Sequence, residues 1–302
     1  MSPPPADAER PIGVFDSGVG GLTVLRALRD ALPSEQFIYL GDTARLPYGT
    51  KSPQTVARYA LQAADALVAR AVKALVIACN TASSVALPAM RARFGDLPLI
   101  GVVEPGAQAA VEASRSGHIA VIGTEATVRG GAYQRAITQR RPQSQVQARA
   151  CQLFVALAEE GWTSGPVVQA VAEQYLWPLF GAGAAASAGP GMAAGAGMAP
   201  GTADTAVPDT LVLACTHFPV LRAVIQQVVG ARVSVVDAAA TTALATRALL
   251  HERGLLREAT VRSHGSPPPR YLATDAVSRF AAIGDRFLGS RIGAGEIELI
   301  DL

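Results

Sequence analysis

Ten short apolar runs, most of them rich in β-branched residues, recur along the chain and alternate with alanine-rich stretches of helical length. That alternation points to an α/β protein with largely parallel sheets, because two parallel strands need a crossover long enough to hold a helix. Strands are expected near 12–16, 37–42, 74–79, 97–103, 119–124, 146–151, 211–215, 233–237, 270–273 and 297–300. Most of these runs are continuous rather than alternating, as strands buried on both faces require.

Several of the runs end abruptly in polar groups: Asp16 and Ser17, Asp42 and Thr43, Cys79 to Thr81, Thr124, and Cys215 to His217. In an open parallel sheet, ligands bind beyond the carboxyl ends of the strands. Asp, Ser and Thr at such turns commonly cap the following helix, and Asp237 is read as a cap alone. Two of the turns carry a thiol. The stretch ALVIACNTA at 74–82 and the stretch TLVLACTH at 210–217 repeat one pattern, an apolar strand ending in cysteine and then a threonine-containing polar pair. Cys151 lacks that context and reads as a small core hydrophobe. A thiol in the first turn of a helix meets backbone N–H groups and the positive end of the macrodipole, so Cys79 and Cys215 are expected to have lowered pKa values. His217, two residues beyond Cys215, can act as an acid or pair with the sulfur.

Two identical acid/base groups on matching strands suit a reaction whose two directions are nearly the same. Racemisation is such a reaction: one sulfur removes a proton from a carbon while the other supplies one to the opposite face. The two cysteines must then face each other across a cleft between two domains. A pyridoxal cofactor would need a lysine for its Schiff base, and the chain has only Lys51 and Lys73. Lys73 precedes its strand, at the wrong end of the sheet, and Lys51 sits in a loop without a phosphate cradle. The three cysteines form neither a disulfide framework nor a zinc-ligand pattern. No cofactor and no metal are expected. The glycine-rich turn DSGVGG at 16–21 lacks the lysine of a P-loop and the spacing of a dinucleotide fingerprint, and it would let the backbone approach a small ligand.

Half of the 302 residues are hydrophobic, enough for a sizeable core, and the formal net charge of +2 gives no reason to invoke nucleic acid or a membrane surface. Residues 1–11, MSPPPADAERP, lack the apolar centre of a signal peptide and read as a disordered extension of a cytoplasmic chain. Residues 181–207 are alanine, glycine and proline of low complexity, unable to bury enough apolar surface to offset the entropy of ordering them, and read as a disordered insertion.

Six stretches in order, GVFDSGVGGLT at 13–23, YLGDT with PYG at 39–49, ACNTAS at 78–83, GVVEPG at 101–106, VIGTEAT at 121–127 and ACTHFP at 214–219, resemble the glutamate racemases of the aspartate/glutamate racemase superfamily. The resemblance implies two similar α/β domains, one from 12–101 plus 240–302 and the other from 102–239, with the active site between them. It implies that Cys79 handles the proton of D-glutamate and Cys215 that of L-glutamate. Asp16, Ser17, Tyr48, Gly49, Asn80, Thr81, Thr124, Thr216 and His217 are implied as substrate contacts, with Asp16 and His217 also assisting catalysis. Glu159, in CQLFVALAEEG at 151–161, resembles the family's carboxylate near the second cysteine, although Gln152 and Ala156 stand where the family commonly has prolines. The implied product, D-glutamate, would supply peptidoglycan synthesis and cell-wall biogenesis. The implied partner is the small-molecule substrate, and a homodimer is compatible with the sequence.

A relative acting on aspartate is the nearest competing reading, since paired cysteines fix the reaction and not the side chain. A protein that keeps the fold but regulates a partner is the reading of a different class. Closure entropy grows only logarithmically with loop length. Replacing 183–205 with a short Gly/Ser linker is therefore expected to leave turnover within about twofold, and loss of both folding and turnover would assign the segment a structural role.

Overall fold

The computed structural model describes residues 7–181, 207–258 and 268–302; the expected insertion lies, apart from its two end residues, outside them. β1 (Ile12–Asp16) leads through α1 (Leu22–Ala31) to β2 (Phe37–Gly41), and α2 (Pro53–Val68) crosses over to β3 (Ala74–Ile77). The start of α2 is set locally: Ser52 accepts the Thr55 N–H and Pro53 occupies the first helical position. After α3 (Asn80–Val85) and α4 (Leu87–Phe94) comes β4 (Leu99–Gly101).

A second run of the same kind follows. α5 (Val103–Ala113), β5 (His118–Gly123), α6 (Glu125–Gly130), α7 (Ala132–Arg140), β6 (Gln145–Ala150), α8 (Leu153–Glu160), α9 (Pro166–Phe180), β7 (Thr210–Ala214), α10 (Arg222–Val229) and β8 (Ser234–Asp237) succeed one another. The chain then returns through α11 (Ala239–Glu252), β9 (Arg270–Ala273), α12 (Val277–Leu288) and β10 (Ile297–Leu299). In α12, Phe280, Ile283, Gly284, Phe287 and Leu288 are buried, the spacing of one helical face turned to a core.

The strands form two sheets, ordered β10-β9-β2-β1-β3-β4 and β6-β5-β7-β8, and every pairing is parallel. The order β2-β1-β3-β4 in the first is the order β6-β5-β7-β8 in the second. In each, a central strand pairs with its successor on one side and with the strand after that on the other, which opens a crevice at the carboxyl ends of β1 and β3 and again at those of β5 and β7. The four central strands β1, β2, β3 and β7 are buried throughout, as continuous apolar runs demand. Each sheet is covered on both faces by helices that complete its two apolar cores. Among the described residues no helix is long and apolar enough to cross a membrane.

All ten expected strands are present. Two, β3 and β4, are shorter than expected by more than one residue, because Cys79 caps α3 and Val103 already opens α5. Residues 1–6 of the expected disordered extension lie outside the described residues, and from Asp7 onward the expectation is corrected, since the chain packs: Ala8 is buried and its carbonyl accepts the Lys73 ammonium at 2.7 Å. The cause lies in Lys73 itself. Buried beside β3 and ion-paired with Glu35 at 2.5 Å, it needs further acceptors, and the incoming segment supplies one.

Glu35 in turn accepts the Arg257 backbone N–H at 2.9 Å, so one buried ion pair ties the entry, β3 and the end of α11 together. Lys73→Met leaves the Glu35 carboxylate buried without its cation and is expected to cost about 3–5 kcal/mol in urea unfolding. The double variant Lys73→Met with Glu35→Leu is expected to recover most of that loss; a double variant as unstable as the single one would show that packing, not charge, dominates.

Candidate active site

The two crevices face each other and enclose about 450 Å³ of empty space. Ser17, Tyr48, Gly49, Cys79, Asn80, Thr81, Thr124, Glu159, Cys215, Thr216 and His217, all singled out in the sequence, line it together. Asp16 does not reach the wall: it is fully buried behind the glycine-rich turn, where it accepts the Gly18 N–H at 3.0 Å. Gly18, Leu46, Pro47, Gln152 and Val155 also line the pocket. Gln152, Val155 and Glu159 lie at i, i+3 and i+7, one stripe along α8, a periodicity that sequence reading could have used to extend the site from Glu159.

Each thiol ends a strand of equivalent position. Cys79 follows β3 and caps α3, accepting the Ala82 N–H at 3.5 Å and lying 3.5 Å from the Ser17 hydroxyl, to which it donates. Cys215 follows β7, with its sulfur 3.9 Å from Nδ1 of His217. The other ring nitrogen of His217 meets Glu159 at 3.2 Å, and Glu159 also pairs with Arg279 at 3.4 Å. Phe287 packs its edge on the imidazole.

Burial governs the protonation states. The Cys79 thiol is pushed up to about 12, first by desolvation and then by the Asp16 carboxylate, against the weaker help of Ser17 and the Ala82 N–H. This reverses the lowered value expected at Cys79: the helix terminus is there, but the thiol is buried in the apolar core around β1, β3 and α3, without the water that a thiolate needs. Asp16 is likewise raised by burial, although the His217 charge and three backbone N–H groups oppose the rise. For His217, desolvation disfavours the cation, yet hydrogen bonds to Cys215 and Glu159 outweigh it and lift the imidazole to about 10. Glu159 is lowered, chiefly by its hydrogen bond with His217.

The remaining polar groups are held in place by one another. Tyr48 donates to Asp42 at 2.5 Å, and Arg45 and Thr274 complete that carboxylate's shell. Thr81, Thr124 and Thr127 form a triangle of hydroxyls at 3.0–3.2 Å that bridges the two sheets' loops. Tyr133, which the sequence did not mark, donates to Asn80 Oδ1 at 2.6 Å across the same boundary. Glycine in the turn after β1 serves a purpose other than ligand approach: a Cβ on Gly20 would stand 2.5 Å from Thr216 Oγ1 and 2.6 Å from His217 Nδ1. Gly49 meets Thr124 in the same way, at 2.5 Å. Asp237 is more than the cap expected: it closes β8, one residue before the N-cap Ala238, accepts the Ala239 N–H at 3.0 Å and pairs with Arg222 at 3.2 Å, whereas Cys151 is a buried core residue as expected.

The Asp/Glu/Hydantoin racemase family model matches residues 12–187. A glutamate racemase of Geobacter metallireducens is 45% identical over 282 residues, which are 93% of this chain and 94% of that protein. The chain belongs to the glutamate racemase family. A second member, from Neisseria meningitidis, is 41% identical over 97% of both chains. The crystal structure of the Francisella tularensis glutamate racemase in complex with D-glutamate superposes with a TM-score of 0.82 at 33% identity, covering 97% of this chain and 98% of that one. Membership in the glutamate racemase family makes the protein an isomerase of the racemase class, with the two parallel α/β sheets that the solved member also has.

The electrostatics of the pocket are open to a direct test. His217 is raised from 6.5 to about 10, so its contribution to stability is fully present below pH 6.5 and is lost as the pH rises through 10. Glu159 is lowered, so its share is lost as the pH falls toward its folded value. The melting-temperature advantage of the wild type over His217→Asn is therefore expected to be greatest near pH 6 and to shrink by pH 10. An advantage that is flat across this range would mean that His217 is not charged in the folded protein.

Proposed function

We propose that the protein interconverts L- and D-glutamate without a cofactor, using Cys79 and Cys215 as the two acid/base residues. The observation that carries this reading is that the two thiols, each beyond the carboxyl end of the equivalent strand in a duplicated sheet, line one pocket. The D-glutamate bound by the Francisella relative supports the choice of substrate.

In the direction from L-glutamate, the Cys215 sulfur takes the α-proton while the Cys79 S–H gives its proton to the opposite face, so that the centre inverts and the two sulfurs exchange roles. The surroundings set the starting state. Cationic His217 lies 3.9 Å from the Cys215 sulfur, and buried Asp16 disfavours negative charge on Cys79. In the reverse direction charge must gather on Cys79, and protonation of Asp16, made easier by its burial, relieves the repulsion. Glu159 keeps His217 charged and oriented. Among the described residues neither Lys nor Arg lines the pocket, so hydroxyls, amides and backbone N–H groups hold the two carboxylates: Ser17, Asn80, Thr81, Thr124 and Thr216, with the Tyr48–Gly49 turn.

The two halves of the cleft correspond in this reading to domains at 12–101 plus 240–302 and at 102–239. The product would supply D-glutamate to peptidoglycan synthesis in the cytoplasm.

Enantiomers have equal free energy, so turnover is expected to run to equal amounts from either side. In heavy water the product enantiomer is expected to acquire solvent deuterium before the remaining substrate does, because the donating thiol is not the abstracting one. Cys79→Ala and Cys215→Ala are each expected to lose racemisation almost completely, since the two groups act as a unit. Near-normal turnover in either folded variant, or equal early labelling of both pools, would sink the two-base reading.

A further inference from the structure

Among the described residues, Gln152 carries the one polar side chain of the pocket wall that no part of this mechanism employs. It stands at the entry to α8, where the family it resembles commonly has proline, and its side chain joins Val155 and Glu159 on the stripe that faces the pocket. Among the described residues the carboxamide has no hydrogen-bond partner. Oε1 is buried against the wall and unpaired, whereas Nε2 keeps access to open space. An unpaired buried carbonyl oxygen costs stability, so folding alone gives no reason for an amide at this position. A proline would fit the backbone: Gln152 has φ −60, the proline value.

The amide's open end meets a need of the ligand. Glutamate brings two carboxylates into a pocket whose one cationic side chain, His217, is already engaged by Glu159 and Cys215. Neutral donors on the wall must therefore hold both carboxylates, and each added N–H counts. We propose that Gln152 is a substrate-binding residue of this chain, donating Nε2–H to a carboxylate of the bound amino acid. The inference rests on glutamate being the substrate. Its physical content is a hydrogen bond to a charged group, formed only when the pocket is filled, that a proline at this position cannot supply.

The test uses the full chain and three substitutions. Gln152→Leu and Gln152→Pro are expected to raise KM for both enantiomers about tenfold, the worth of one hydrogen bond to a charged group. The loss is expected in KM far more than in kcat, with the melting temperature of Gln152→Leu equal to or above that of the wild type because the unpaired Oε1 is gone. Gln152→Glu distinguishes donor from acceptor: a carboxylate facing a carboxylate is expected to raise KM further than leucine does. Unchanged KM in the leucine and proline variants, or a lower melting temperature with unchanged KM, would overturn the proposal. A glutamate variant that binds as well as the wild type would also overturn it, by showing that the group accepts from the substrate ammonium. Wild-type turnover of glutamate in the same assay checks the substrate separately, so failure of that reading is visible on its own.

Discussion

Everything at the site depends on one pairing constraint, a central parallel strand that must bond a neighbour on each side. β1 bonds β2 and β3, and β5 bonds β6 and β7, so the connections leave the carboxyl ends in opposite directions and part to form a crevice. Inside β1, β2, β3 and β7 the side chains are apolar or aromatic because both faces are buried, and polar side chains stand only at the strand ends, as Asp16 does in β1 and Thr210 in β7. Polar chemistry is displaced to the turn where each strand stops and the next helix begins. Asp16, Cys79, Thr124 and Cys215 are products of that displacement, and Cys79 and Thr124 cap the helices that follow them.

Setting the two crevices against each other then removes water from groups that would otherwise be solvated. The close approach depends on the missing side chains of Gly20 and Gly49, whose places are taken by Thr216, His217 and Thr124 from the opposite half. Desolvation raises Cys79 and Asp16, and it would discharge His217 if Glu159 and Cys215 did not hold the proton there. The hydroxyl triangle and the bond from Tyr133 to Asn80 fasten the halves at the same place, so the contacts that exclude water also orient the groups left inside.

What could be read from the sequence follows the same division. The ten strands and the repeated cysteine turn were legible because continuous apolar runs and a thiol at a strand end are local signals, but only Cys79 caps a helix as expected; a 3-10 turn at Phe218–Leu221 separates Cys215 from α10. The direction of the Cys79 shift was not legible, since it is decided by burial among residues far apart in the chain, from Phe15 to Leu272. Tyr133 lies in the first turn of α7 with no local mark, and its role arises only from the approach of Asn80, 53 residues earlier in the chain. Gln152 and Val155 could have been found from the helical period that reaches Glu159. The anchoring of residues 7–11 needed knowledge that Lys73 is buried, which its place before a strand did not convey.

Register shows how the duplicated halves differ. Phe15 pairs with Ile77, two residues before Cys79, and Ile122 pairs with Leu213, two residues before Cys215. On that alignment Asp16 corresponds to Gly123, Ser17 to Thr124, and Thr81 to His217. One half places a carboxylate beside its thiol where the other has glycine, and the other places a cation where the first has a hydroxyl. The scaffold is repeated while the charges on its two sulfurs' surroundings are opposed. For a racemase this asymmetry cannot alter the endpoint, because the two enantiomers have equal free energy in water and kcat/KM must therefore be the same in both directions. What it can do is divide that common value differently between kcat and KM on the two sides. It also makes the two faces of the pocket electrostatically distinct, with the His217 imidazole beside the Cys215 sulfur on one side and the Asp16 carboxyl near Cys79 on the other.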